Sequence, residues 1–142
     1  LCESTEERQR KGEFYVHAHV RDSAMPKDGP SAGIPVVVAL YGLLTKQSVK
    51  SYVGATGEID LSLGMLIPIG GVKEKALAAH RAGIREFIVP KENEEDLDDI
   101  PPELKSQITF IPKRSVWSAL ASFFPDDERI IAYIAGKEEW SS

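Results

Sequence analysis

Pro26-Lys27-Asp28-Gly29-Pro30-Ser31-Ala32-Gly33 runs straight into Ile34-Pro35-Val36-Val37-Val38-Ala39-Leu40, so one serine stands where a stiff glycine and proline loop meets an apolar segment. Residues 31 to 45 read as a helix. Pro35 is tolerable there because it falls in the first turn, where an N–H has no intrahelical acceptor to lose. A serine at such a junction has two uses. Its hydroxyl can cap the helix by accepting one of the unpaired N–H groups, or it can be held in the loop as a nucleophile. The loop alone leaves both open.

A nucleophilic serine needs a base, and the chain offers histidines at 17, 19 and 80 besides its lysines. A lysine accepts a proton only when neutral, a form favoured by apolar surroundings and by the positive end of a helix. The stretch from Val72 to Gly83, behind Gly70-Gly71, reads as a helix. At about 100° per residue its apolar stripe is Val72, Ala76, Ala79, Ala82 and Gly83. Lys75 falls inside that stripe, in the first turn; Lys73 points the other way, near His80, while Glu74 and Arg81 form the outer face. Helical geometry therefore nominates Lys75 as the lysine that faces protein, although a lysine so placed can also lay its stem on the core and carry its charge to water.

Both segments together resemble the proteolytic domain of the Lon family, ATP-dependent AAA+ serine proteases. The resemblance lies in Pro26 to Gly33, Thr56-Gly57-Glu58-Ile59, Pro68-Ile69-Gly70-Gly71-Val72-Lys73-Glu74-Lys75, Ala78-Ala79-His80-Arg81-Ala82-Gly83-Ile84 and Val89-Pro90-Lys91-Glu92-Asn93, in one order from about His17 to about Phe124. It implies a Ser-Lys dyad with Ser31 as nucleophile and Lys75 as base, the same lysine that the helix face nominates. It also singles out Asp28 in the serine loop, Thr56 near the lysine amine, Glu58, and the strand histidines His17 and His19. Gly29, Pro30, Ala32 and Gly33 would shape the loop whose N–H groups hold an oxyanion. The function that the resemblance implies is that of an endopeptidase acting on unfolded or damaged proteins, with identical subunits in a ring, a hexamer.

Two departures stand out. Ala55 occupies the place before Thr-Gly-Glu where the family usually carries methionine, and the stretch between Glu58 and Pro68 is one residue longer than the usual pattern. An extra residue there is a bulge or a longer turn. Two rival readings remain: a Lon-like domain that serves only as an assembly or scaffold module of an AAA+ or DNA-repair ATPase, and a Ser-His arrangement using His17 or His19. Relatives of the scaffold kind lack the serine and the lysine, and both are present here.

At 142 residues the chain suits one domain able to bury about two thirds of its unfolded surface. A net charge of −5 supplies no basic field for nucleic acid or anionic membrane. The single cysteine, Cys2, excludes an internal disulfide and any cysteine-based zinc site. No third ligand accompanies His17 and His19, so no metal is expected. No Walker-type phosphate loop occurs, since Gly70-Gly71-Val72-Lys73 lacks the spacer and the following Ser or Thr; ATP and Mg would belong to an ATPase segment upstream. No apolar run reaches the length of a membrane span and no secretory leader pattern is visible. An intracellular soluble protein is expected, in the bacterial cytoplasm or, in a eukaryote, the mitochondrial matrix or peroxisome.

Along the chain, residues 1–12 read as a polar lead-in or the end of a truncated helix, 13–136 as the proteolytic domain without the family's first strands, and 137–142 as a tail. Phe14 to Val20 is strand-like, with His17 and His19 on one face. Strands with a tight turn are expected over Tyr52 to Leu66, a buried strand over Glu86 to Val89, a solvated acidic face over Glu92 to Asp99, a short helix near 103 to 107, and a strand over Ile108 to Ile111. Ser115 reads as the cap of a helix through Phe124 with Val116, Leu120 and Phe123 inward, and Asp126 to Gly136 as a last helix. The pattern is α/β (α+β), mixed sheets with packed helices.

Overall fold

Phe87, Ile88, Val89 and Pro90 are all buried, the unbroken apolar run of a parallel strand covered on both faces. They belong to β4 (Glu86–Pro90), which lies between β1 (Val53–Ala55) and β5 (Thr109–Lys113) in a parallel sheet of order β1-β4-β5. Val53 stands opposite Glu86, and Glu86 opposite Thr109. The computed structural model describes residues 29–137 and, before them, Val16 alone. His17, His19, Asp28, the 1–12 lead-in and residues 138–142 of the tail lie outside the described residues.

Strand alternation sends Ile88 to one face and Phe87 and Val89 to the other, so two cores form. On the Ile88 face, α1 (Gly33–Thr45), α4 (Val116–Phe123) and α5 (Glu128–Ala135) pack through Ile34, Val38, Leu120, Phe123 and Ile130. On the other face, α2 (Val72–Arg81) and α3 (Pro102–Lys105) set Val72, Ala76, Ala79 and Leu104 against Phe87 and Val89. Helices on both faces of a parallel sheet, beside a small antiparallel ribbon, make the mixed α/β fold that the sequence pattern implies. Trp117 stacks on Tyr133 at 4.1 Å between ring centroids, locking α4 to α5.

The ribbon pairs β2 (Glu58–Asp60) with β3 (Met65–Ile67), Glu58 opposite Ile67 and Asp60 opposite Met65. Pairing is regular, with no bulge, and the two strands are joined by the turn at 61–64. Asp60 organises that turn. Its Oδ1 accepts from the Ser62 hydroxyl at 2.5 Å and the Ser62 N–H at 2.8 Å, bonds that hold the carboxyl below its ordinary pKa.

Helix ends refine the sequence reading. The second helix stops at Arg81, and Ala82 and Gly83 are exposed instead of continuing its apolar stripe. Gly83 takes φ +80°, and the Ile84 N–H folds back to the Ala79 carbonyl at 3.0 Å, a left-handed glycine termination. Ser115 caps α4 as expected, in a reciprocal box with Ser118. The inner face of that helix is Ser118, Ala119, Leu120 and Phe123, with Val116 only half-buried.

Asp127 caps α5, its side chain 2% exposed. Its carboxylate accepts from Arg129, Gln47 and the Tyr41 hydroxyl. These donors, Arg129 foremost, hold it far below the usual carboxylate range.

Candidate functional site

The site is built outward from the central strand. The Thr56 N–H donates to the Ile88 carbonyl at 3.0 Å, one residue past the end of β1. Thr56, 4% exposed, then turns its hydroxyl onto the Ser31 carbonyl at 3.3 Å. The same carbonyl accepts the Gly57 N–H at 2.9 Å, and the Gly57 carbonyl accepts the Ile34 N–H at 3.3 Å. The serine backbone is thus tied to the sheet from both sides. Only glycine allows this approach: a Cβ at position 57 (φ +156°) would lie 2.6 Å from Ile34 Cδ1 and 3.1 Å from Pro90 Cγ.

At the start of α1 the N-cap is Ala32, and no side chain caps the helix. Backbone closes the turn instead, with Gly33 N–H on the Pro30 carbonyl and Val36 N–H on the Ala32 carbonyl, both at 3.0 Å. The capping role open to Ser31 is therefore unused, and its hydroxyl makes no hydrogen bond to a described residue. The N–H groups of Ser31 and Ala32 likewise meet no acceptor among the described residues.

Lys75 enters from the other core. It is half-buried in the first turn of α2, and its Nζ donates to the Gly70 carbonyl at 2.8 Å. Gly71, at φ +70°, brings the chain so close that a Cβ there would stand 3.5 Å from Nζ. Lys73 is exposed on a different side, bordering a cavity with Asp96 and Asp99.

Two cavities meet along the line from Ser31 to Lys75, and both residues border each. One, about 420 Å³, has a mostly apolar wall of Pro35, Gly54, Ala78, Ala79, Ile84 and Phe87, with Ala32, Ala55 and Thr56 also lining it. The other, about 300 Å³, is bounded by Gly29, Pro30, Glu58, Pro68, Ile69 and Gly70. Ser31, Lys75, Thr56, Glu58 and the loop residues Gly29, Pro30 and Ala32 are therefore gathered at one place, and Gly33 packs against the Gly57 carbonyl behind them. Thr56 reaches the serine backbone and not the lysine amine, which is held by Gly70. His80 is engaged away from the pair, its Nε2 2.6 Å from Gln107 Oε1. Among the described residues no group of three His, Cys, Asp or Glu side chains is placed to hold a metal, and no helix is long and apolar enough to cross a membrane.

One residue of this neighbourhood carries no role in the sequence reading. Asn93, 3% exposed, accepts the Ile69 N–H at 3.0 Å and donates to the Ile69 carbonyl at 2.8 Å. In sequence it closes the Val89 to Asn93 block and runs into the acidic stretch after β4, and no spacing there marks its side chain as buried.

Residues 2–124 match the family described as the Lon protease (S16) C-terminal proteolytic domain. The chain is 50% identical over 114 residues to the Lon protease of Nitrosococcus oceani, covering 80% of the chain and 15% of that protein. It is 53% identical over 98 residues to Lon protease 1 of Bacillus subtilis, covering 69% and 12%. It is 45% identical over 122 residues to the Lon protease of Treponema pallidum, covering 86% and 14%. The chain thus spans only a small part of the length of the curated relatives it matches.

Proposed function

The chain belongs to the Lon protease (S16) C-terminal proteolytic-domain family, and from that premise we propose that it hydrolyses peptide bonds with Ser31 as nucleophile and Lys75 as base. The observation that carries this reading is the pair of cavities that Ser31 and Lys75 border together from opposite cores. The amine donates to the Gly70 carbonyl at 2.8 Å, which holds Nζ at the border of both cavities that Ser31 lines. Ser31 Oγ attacks the scissile carbonyl and passes its proton to Nζ; Lys75 returns that proton to the leaving amine, and water repeats the cycle on the acyl-enzyme. The N–H groups of Ser31 and Ala32, which meet no acceptor among the described residues, suit the oxyanion. The apolar wall around Phe87 suits an apolar substrate side chain beside the scissile bond. Thr56 supports the serine by fixing its carbonyl, and Glu58 borders the polar side of the cleft. Asp28, His17 and His19 remain assignments from the family pattern.

The substrates in this reading are unfolded or damaged proteins, and the working unit is a ring of identical subunits, a hexamer, in an intracellular compartment. ATP dependence is assigned to an ATPase segment outside these 142 residues.

The test is peptide and protein hydrolysis by the full-length enzyme with Ser31→Ala, Lys75→Ala and Lys73→Ala. The first two are expected to be inactive and folded, the third to retain most activity, because Lys73 lies on another side of α2. An active Lys75→Ala with an inactive Lys73→Ala would overturn the assignment.

A further inference from the structure

We infer that Asn93 is a positioning residue for the Lys75 base, acting through Ile69 and the Gly70 carbonyl; the inference rests on the Ser31 and Lys75 reading above. Its amide gives Ile69 the two bonds that a neighbouring strand would otherwise supply, Oδ1 accepting the N–H at 3.0 Å and Nδ2 donating to the carbonyl at 2.8 Å. The second Nδ2 hydrogen goes to Asp96 Oδ2 at 2.5 Å. Those partners fix the orientation of the amide, since exchanging its oxygen and nitrogen would set donor against donor and acceptor against acceptor.

What this clamp secures lies one residue further on. Gly70 and Gly71 have no side chains to be held by packing, and a Cβ at Gly70 would meet nothing within 4 Å. Among the described residues the Gly71 carbonyl accepts the Lys75 N–H at 3.1 Å, and the Gly70 peptide plane is held from either side by Ile69, clamped by Asn93, and Val72, 3% exposed, in the core. Between them the Gly70 carbonyl receives Lys75 Nζ at 2.8 Å. Releasing Ile69 frees the Gly70 peptide plane to turn, and the amine turns with it. A displacement near 1 Å at a reacting group can cost about a hundredfold in rate.

The experiment compares Asn93→Ala and Asn93→Asp with Ile108→Val in the full-length enzyme, using a short unstructured peptide substrate. Ile108 lies in the same core and serves as a control for lost stability. Asn93→Ala is expected to lower kcat at least tenfold with KM within twofold of wild type, and Asn93→Asp, which keeps an acceptor but loses the donor to the Ile69 carbonyl, to behave alike. Ile108→Val should keep kcat within twofold after assay temperatures are set equally far below each variant's Tm. If Asn93→Ala does not fold, Asn93→Asp decides by the same split. Wild-type kcat in the folded Asn93 variants, or a loss confined to KM, overturns the inference. Lys75→Ala run in parallel separates the two readings: an active Lys75→Ala sinks the dyad, whereas an inactive one beside unimpaired Asn93 variants sinks only the role given to Asn93.

Discussion

Gly57→Ala places a methyl group where the serine segment meets the sheet, and its consequence can be worked from the distances. The new Cβ would stand 2.6 Å from Ile34 Cδ1, far inside van der Waals contact, and 3.1 Å from Pro90 Cγ, a few tenths of an ångström too close. Overpacking of this kind costs about 1–3 kcal/mol, and the positive φ of +156° adds about 1 kcal/mol or more for a residue with a Cβ. A total of about 3 kcal/mol corresponds to a fall in Tm of roughly 10 °C for a domain of this size. Ile34→Val alone deletes the clashing Cδ1 and costs about 1 kcal/mol. In the double variant the shortest contact is gone while the Pro90 contact and the backbone angle remain, so the two effects should fall short of additivity by about 1–2 kcal/mol. Urea denaturation of the four proteins measures this directly. The functional counterpart is peptide hydrolysis: because the Ile34 N–H is bonded to the Gly57 carbonyl just beyond Ser31, Gly57→Ala should lower kcat more than tenfold and Ile34→Val should restore part of it. Additivity within about 0.5 kcal/mol, or undiminished hydrolysis by Gly57→Ala, would rule out this steric coupling between Gly57 and Ile34.

Thr56→Val keeps the shape of the side chain and removes only the donor to the Ser31 carbonyl. Because that carbonyl retains the Gly57 N–H, the stability cost should stay below about 1 kcal/mol, while kcat falls several-fold; a kcat equal to wild type would deny Thr56 a positioning role. For Asp127 the folded pKa lies below the unfolded one, so its contribution to stability is complete above the ordinary carboxylate pKa of about 3.9 and is lost as pH falls from there through the folded value. The stability gap between wild type and Asp127→Asn should therefore be constant from pH 7 to about 5 and shrink below about pH 4; denaturation midpoints against pH check this, and a gap that widens in acid would contradict it.

Features that depend on neighbours along the chain were legible before any tertiary contact. Helical periodicity set Lys75 apart from Lys73, the Ser115 cap followed from its place before an apolar run, and the buried β4 strand followed from the consecutive apolar residues Phe87, Ile88 and Val89. Each of these needs only the 3.6-residue or two-residue period and the unpaired groups at a helix end, which are local properties of the backbone. Tertiary structure decided the rest, because the partners are far apart in sequence and meet only once the sheet has set their register. Nothing near Ser31 told that Ala32 would cap the helix without a side chain, or that Thr56 would bond the serine carbonyl instead of the lysine amine. The stretch after Glu58 left a bulge and a longer turn both open, and the regular pairing of Glu58 with Ile67 shows strands without a bulge. Asn93 stands at the end of the Val89 to Asn93 block with no role legible there, and only the docking of the loop before Lys75 against the end of β4 buries its amide and gives it Ile69 to hold. A buried amide must find partners wherever the fold supplies them, and the sequence pattern does not record which atoms those will be.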